Sequence, residues 1–145
     1  MQGCMSDSLH AKFKNICEEI IPFNRFLGIK LAKVSKGKIR LMLPFRKEFI
    51  GDPGRPAIHG GVLSTLMDTA GGAAAWTLLN HGDRLSTVDL LVDYLLPATT
   101  ADLQADAEVI RIGNRVAVVQ ISVRQKRKLI THGRAVYNVV RSKQN

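Results

Sequence analysis

The chain has 145 residues, of which 46% are hydrophobic and 23% charged, a composition typical of a globular protein and not of disordered or collagen-like chains. This length predicts a single domain spanning residues 1–145. The net charge of +9 indicates an anionic partner, which would be a nucleic acid, a membrane surface or a phosphorylated ligand. Two cysteines cannot form a disulfide framework, so we expect a reducing, cytoplasmic compartment.

The first third of the chain predicts a helix followed by a hairpin. Apolar residues recur at helical spacing over residues 8–21, and Pro22 is expected to end this short N-terminal helix. Residues 27–34 and 39–43 are typical of two strands joined by a tight turn. Residues 45–58 are rich in glycine and proline and predict an irregular loop, where a site could be built.

The following stretch, residues 58–79, predicts a long helix that begins at Gly60 and Gly61 and contains one acid, Asp68. Apolar residues occupy nearly every side of this helix, which favours burial by the rest of the fold over a membrane span. A buried carboxylate without a partner costs several kcal/mol. The first amides of a helix are open to an anion or a polarised carbonyl. An acid and free amides on one rigid helix suit acyl-transfer or hydrolytic chemistry.

The remainder of the chain predicts four strands, at residues 85–95, 103–112, 116–124 and 129–140. The order of one helix, two strands, a long helix and four strands predicts an α+β fold. In this fold a curved antiparallel sheet wraps around the central helix. No Asp or Glu follows Glu108, so the basic charge is concentrated in the last third of the chain.

Three motifs of the chain can be compared with known families. They are His59-Gly60-Gly61 with Asp68 seven residues after the second glycine, residues 87–98, and the Gly113-Asn114-Arg115 turn followed by His132-Gly133-Arg134-Ala135. Together they resemble the motifs of hotdog-fold acyl-CoA thioesterases of the phenylacetate-degradation (PaaI-like) type. The motifs occur in the order and at the spacing of that family. The resemblance covers roughly residues 26–140 and implies one hotdog domain.

The resemblance also implies a homodimer, or a dimer of dimers, whose sheets join edge to edge. A carboxylate of one subunit, Asp68, would act as nucleophile or general base and face amides of the other subunit. The Gly61 N–H, with that of Gly60, would polarise the thioester carbonyl. Thr87 would hold a water molecule or the carboxylate, and His59 would orient the loop or bond near the carbonyl.

One position departs from the family pattern. Many members carry an asparagine where this chain has Pro53, which offers no side-chain hydrogen bond. Loss of one oxyanion donor lowers a rate by about 10²–10³. A non-catalytic acyl-CoA-binding or sensing protein therefore remains the alternative. A Ser64–His59 nucleophilic pair, a dehydratase and a nucleic-acid-binding protein are each less favoured by the residues present.

The basic last third contains candidates for binding the phosphates of coenzyme A, namely Arg111, Arg115, Lys126 and Arg127. Alternatively, these residues form a solvated, charged sheet edge. The four histidines are scattered along the chain, so we expect no metal site and no cofactor other than the coenzyme A of the substrate. The sequence leaves the nature of the acyl group open.

Overall fold

The computed structural model describes residues 2–143, with side chains from Asp7 onward. The helices are α1 (Gln2–Asn15), α2 (Pro22–Leu27) and α3 (Gly60–Trp76), and the strands of the main sheet are β1 (Lys30–Ser35), β2 (Lys38–Leu43), β5 (Arg84–Tyr94), β6 (Leu103–Ile112), β7 (Val116–Gln125) and β8 (Lys128–Val140). These six strands are antiparallel and lie in the order β1-β2-β6-β7-β8-β5. The long helix α3 packs across one face of the sheet. The predicted hotdog fold is confirmed.

The N-terminal segment is longer and more helical than predicted. Helix α1 begins before Ser8 and continues into a π-helical turn, Ile16–Ile20. Pro22 does not end the helical region but starts α2, because a proline in the first turn lacks only an N–H that would have no partner there. Helix α2 then ends at Gly28 (φ 80°), so β1 begins at Lys30 and not at Leu27.

The segment predicted as an irregular loop contains short regular elements. A 3₁₀ turn, Lys47–Phe49, leads into a two-stranded ribbon of β3 (Ile50–Asp52) and β4 (Ala57–Ile58). Helix α3 ends at Trp76, earlier than predicted, and has 17 residues. In the part of the chain that is described, no helix is long and apolar enough to cross a membrane.

Helix α3 is buried on one side only. Its sheet-facing side carries apolar residues that are almost completely buried, including Leu63, Leu66, Met67, Ala70 and Ala74. The opposite stripe, Gly61, Ser64, Thr65 and Asp68, is exposed or half-buried in the single chain. The expectation of burial on every side is therefore wrong for one subunit. A single sheet covers only one face of a helix. Because the residues of the uncovered face are small, the average hydrophobicity of the whole helix is still high.

A buried carboxylate fastens the N-terminal segment to the edge of the sheet. Glu18 accepts a hydrogen bond from the Leu31 amide (2.9 Å), a donor on β1, which is an edge strand. Lys14 (3.1 Å) and Lys30 (3.6 Å) lie against the same carboxylate. Burial alone would raise the pKa of Glu18, but the amide and the two lysines outweigh burial and hold this pKa below its usual range.

Helix α3 approaches β8 closely where Tyr137 lies beneath Gly71. The buried Tyr137 hydroxyl donates a hydrogen bond to the Asp68 carbonyl oxygen (2.7 Å) and also contacts the site that a Cβ atom at Gly71 would occupy. Burial, together with the charge of Asp68, raises the pKa of Tyr137, so the phenol remains a donor. This contact fixes the rotation of α3 about its own axis.

Two neighbouring glycines of α3 provide a matched test of this contact. We expect Gly71→Ala to lower the free energy of unfolding by about 1–3 kcal/mol, because the added methyl group displaces the Tyr137 hydroxyl. A Cβ atom at Gly72 would lie 3.5 Å from the Tyr137 ring, an ordinary contact. Gly72→Ala should therefore be neutral or stabilising by up to about 1 kcal/mol. Urea unfolding of both variants measures the difference, and equal losses would contradict the proposed contact.

Candidate active site

Asp68 lies on the uncovered side of α3 and is held by a residue of β5. The Thr87 hydroxyl donates a hydrogen bond to Asp68 Oδ1 (2.9 Å). The pairing of β5 with β8 shifts register between Thr87 and Asp89, a bulge of the kind that re-aims side chains next to active sites. The two residues lie 19 positions apart in sequence, and the structure brings them together.

An apolar cavity of about 270 Å³ begins at this carboxylate. Asp68 is the only charged side chain among the described residues that line it, and Thr87 lies beside it. The walls come from the N-terminal segment, α3, β5 and β8, and include Phe13, Cys17, Phe23, Trp76, Leu85 and Tyr137. Burial raises the pKa of Cys17 to about 11, so its thiol is neutral and contributes apolar surface. The cavity is suited to an apolar group attached to a reacting centre at Asp68.

The N-terminus of α3 carries the predicted amides. The Gly61 N–H donates to His59 Nδ1 (2.8 Å), so the ring of His59 caps the helix and holds its own proton on Nε2. The Gly60 N–H, the first of α3, has no partner among the residues described. Of the two predicted oxyanion donors, Gly60 is therefore free and Gly61 is shared with His59.

A pair of hydroxyl groups flanks this helix end. The Tyr94 ring packs over Gly60, where a Cβ atom would lie 3.3 Å from the ring. The hydroxyl groups of Tyr94 and Ser64 hydrogen-bond to each other, and each lies 3.2 Å from the Gly60 carbonyl oxygen. Ser64 thus bonds with Tyr94 and the helix backbone, and no hydrogen bond joins it to His59 in the described structure. The structure gives no support to a Ser64–His59 nucleophilic pair.

The acid and the amides are far apart within one chain. Asp68 follows Gly61 by seven residues of continuous helix, a distance of about 10 Å along the helix axis. One thioester carbonyl cannot contact both groups in a single subunit.

The four basic residues predicted to bind coenzyme A fall into two separate pairs. Arg111 and Arg115 flank the β6–β7 turn, whereas Lys126 and Arg127 form the β7–β8 turn, both with positive φ (45° and 73°). The ten residues of β7 separate these turns by about 33 Å. Tyr94 packs over Gly60 at the N-terminus of α3 and pairs with Thr131 near the start of β8. Lys126 and Arg127 therefore lie at the end of the sheet that also holds the N-terminus of α3. Within one subunit the two pairs cannot contact one nucleotide together.

The loop that contains Pro53 is stabilised by its own residues. Asp52 accepts hydrogen bonds from the amides of Gly54 (3.0 Å) and Arg55 (3.3 Å), and these bonds lower the pKa of Asp52. The Arg55 guanidinium also lies 3.4 Å from the Asp52 carboxylate. Both side chains that could replace the missing asparagine are therefore engaged with each other, and neither reaches Asp68 in this chain.

A larger groove, of about 760 Å³, crosses the opposite face of the sheet. Its lining includes cross-strand charge pairs such as Arg40–Asp106 (2.7 Å) and contains no residue of α3. It is therefore separate from Asp68. Among the residues described, no group of three His, Cys, Asp or Glu side chains could hold a metal ion.

Comparison with known proteins identifies the family. Residues 56–130, which include the His59 turn, Asp68 and Thr87, match the thioesterase superfamily. The chain belongs to the thioesterase superfamily. A protein of Halobacterium salinarum, provisionally named an esterase, is 43% identical over 68% of this chain and 66% of its own length. The medium/long-chain acyl-CoA thioesterase YigI of Escherichia coli K12 is 31% identical over 82% of this chain and 86% of its own length.

A solved structure from the thioesterase superfamily has the same fold, with a TM-score of 0.83 and 33% identity. It covers 90% of this chain and 98% of its own. The resemblance drawn from the motifs is thus confirmed, and the chain is a thioester hydrolase. This family membership disfavours the alternative of a non-catalytic binding protein.

Sequence reasoning missed the residues of this thioesterase that wall the cavity. Phe13, Cys17 and Phe23 line the cavity with Asp68, yet they precede it by more than 40 positions. The apolar spacing of Phe13 and Cys17 indicated only a helix that packs on the domain, and Phe23 lay outside every predicted element. No local pattern shows which element such a helix covers, because that depends on the tertiary packing.

Two glycines in the loop before α3 allow a test of the His59 position. A Cβ atom at Gly51 would lie 2.7 Å from His59 Cα and 2.9 Å from its Cδ2, so Gly51→Ala must displace His59. We expect this variant to lose thioesterase kcat by about tenfold or more through loss of the helix cap geometry. Gly54→Ala is the matched control, since its Cβ atom would meet only Asp52 Oδ1 at 3.4 Å. Unchanged kcat in Gly51→Ala would show that the His59 position is unimportant.

Proposed function

We propose that the protein is an acyl-CoA thioesterase whose active site is shared by two subunits. The observation that carries this proposal is Asp68, which is held by Thr87 and is the one charged side chain among the described residues that line a mostly apolar cavity. The acyl group would occupy the cavity, and the thioester carbonyl would lie at the carboxylate. The E. coli relative named as a medium/long-chain acyl-CoA thioesterase supports this choice of substrate.

Asp68 can serve hydrolysis by either of two routes. As a general base, it removes a proton from water while the water oxygen attacks the carbonyl carbon. The carbon–sulfur bond then breaks, and the departing thiolate takes the proton, giving the free acid and coenzyme A. As a nucleophile, Asp68 attacks the carbonyl carbon and expels the coenzyme A thiolate, and water then hydrolyses the resulting mixed anhydride to the free acid and the original carboxylate. In both routes Thr87 occupies Oδ1 and leaves the other carboxylate oxygen to react.

The negative charge that develops on the carbonyl oxygen needs fixed donors. The first amides of α3 meet this need, because they are oriented dipoles at the positive end of a helix. The Gly60 N–H is unoccupied among the described residues, and the Gly61 N–H is shared with His59. Within one helix, these amides are about 10 Å from Asp68 along the helix axis. Amides of the partner subunit could instead lie next to Asp68.

The edge strand β5 supports a homodimer with this geometry. It is long and exposes large apolar side chains, among them Val88 (64% exposed), Leu91 (54%) and Tyr94 (53%). An open apolar edge of this length is an aggregation hazard unless another strand covers it. Pairing of β5 with β5 of a second copy would cover this edge and bring the exposed stripes of two α3 helices together.

The phosphates of coenzyme A need basic side chains outside the cavity. Lys126 and Arg127 lie at the sheet end that holds the N-terminus of α3, whereas Arg111 and Arg115 lie at the other end. One nucleotide can therefore use only one pair from a given subunit. We favour Lys126 and Arg127, because the amide donors of α3, which would bind the thioester carbonyl, lie at the same end of the sheet as these two residues.

Replacement of the acid tests the reaction directly. We expect Asp68→Asn to lower kcat for octanoyl-CoA by about 10²–10⁴, because the amide is neither base nor nucleophile at neutral pH. Asp106→Asn, on the opposite face of the sheet, is the matched control and should retain wild-type kcat. Free thiol release measures both. Full activity in Asp68→Asn would refute the assigned role.

Mixed dimers test whether the site is shared. We expect Asp68→Asn and Gly61→Pro each to be inactive as homodimers, because one lacks the acid and the other lacks an amide donor. In a mixed dimer one of the two sites receives an intact Asp68 and an intact Gly61. Random exchange of subunits should therefore restore about a quarter of wild-type activity. If acid and amide acted within one subunit, mixing would restore nothing.

A further inference from the structure

We propose that Asn24 selects acyl groups that carry an oxygen acceptor, such as a hydroxyl or keto group, over plain alkyl chains. This inference rests on the proposed function, since it takes the cavity at Asp68 to be the acyl site. Asn24 belongs to α2 and lies in the wall of that cavity, together with apolar residues of the N-terminal segment. It is the one side-chain amide among the described residues of the lining.

The Asn24 amide is buried without a hydrogen-bond partner. The residue is only 3% exposed, and its Nδ2 has no acceptor among the described residues. A buried donor left unpaired costs about 1–3 kcal/mol, and most buried polar groups in proteins are therefore paired. Asn24 is nevertheless one of the residues that line the cavity at Asp68. An oxygen atom delivered by a bound ligand would satisfy the donor.

The fold itself does not require an asparagine at this position. The bonds that Asn24 makes to the end of α2 use its backbone carbonyl, which accepts from Gly28 (2.9 Å) and Ile29 (3.1 Å). Any residue could provide these bonds. Asparagine is also a poorer helix former than leucine, which would suit the apolar surroundings. The side-chain amide therefore has no structural purpose that the described contacts reveal.

The shape of the site favours an acyl chain as the source of the acceptor. The cavity volume of about 270 Å³ has room for roughly nine groups of the size of a water molecule, at about 30 Å³ each. The terminal torsion of asparagine is broad, so the amide can turn from the wall towards a ligand atom at little cost. A mostly apolar cavity with a few polar side chains is typical of sites that bind an apolar ligand and fix its orientation, and the Asn24 amide is one of the polar groups in this lining.

The test compares octanoyl-CoA with octanoyl-CoA esters in which a hydroxyl or keto group is moved along the chain. We expect the wild-type enzyme to favour at least one oxygenated ester in kcat/KM by about 10- to 100-fold. Asn24→Leu should abolish this preference, so that the ratio of kcat/KM for the oxygenated ester to kcat/KM for octanoyl-CoA falls to about one. Asn15→Leu, an exposed change on α1, is the matched control and should keep the preference.

Thermal unfolding without ligand gives an independent readout. Asn24→Leu should raise Tm or leave it unchanged, because the variant removes an unpaired buried donor. A lower Tm would show that the amide has a structural partner and would overturn the proposal. Equal kcat/KM for plain and oxygenated esters in the wild type would overturn it as well.

The proposal can also be separated from the proposed function. If the wild type hydrolysed no CoA ester, the acyl-CoA thioesterase assignment would fail, and binding of octanoic and hydroxyoctanoic acids by thermal shift would then test Asn24 alone. Tighter binding of a hydroxy acid, lost in Asn24→Leu, would support the donor role. Equal binding of all acids would contradict it.

Discussion

The close contact between α3 and β8 determines what the rest of the site can be. Tyr137 lies beneath Gly71 and donates to the Asp68 carbonyl, which fixes the rotation of the helix on the sheet. With that rotation, the apolar residues of α3 face the core, and the Asp68 side chain faces Thr87 and the cavity. A side chain at position 71 would push the helix away from β8 and change the direction of the carboxylate.

The N-terminal segment converts this exposed acid into one that borders a pocket. The π-helical turn places Cys17 against the core, and its neighbour Glu18 accepts a hydrogen bond from the Leu31 amide of the edge strand β1. The same carboxylate that protects an open sheet edge therefore holds the cavity wall in place. Phe13 and Phe23 lie on either side of this anchor and line the cavity. Edge protection and pocket formation thus depend on one buried ionic contact.

The exposed features of the single chain are consistent with one another. The uncovered stripe of α3, the apolar edge strand β5 and the free Gly60 amide would all be used by a second subunit. The single chain has an acid without amides within reach, and amides without an acid. A reaction that needs both gives a physical reason for this chain to associate, beyond the burial of apolar surface.

The sequence by itself determined the order of the first helix, the long helix and the six strands of the main sheet, the approximate boundaries of most of these strands, and the glycine-led turn before Asp68. These features follow from local periodicity and from the conformations that glycine and proline allow. It did not reveal that Pro22 begins a helix, nor that one side of α3 stays uncovered, because both depend on what packs against the element. Only the tertiary structure brought Phe13, Cys17 and Asn24 to the cavity and placed the basic pairs at opposite ends of β7. Contacts between residues far apart in sequence leave no periodic trace, so the pocket could not be predicted from the chain.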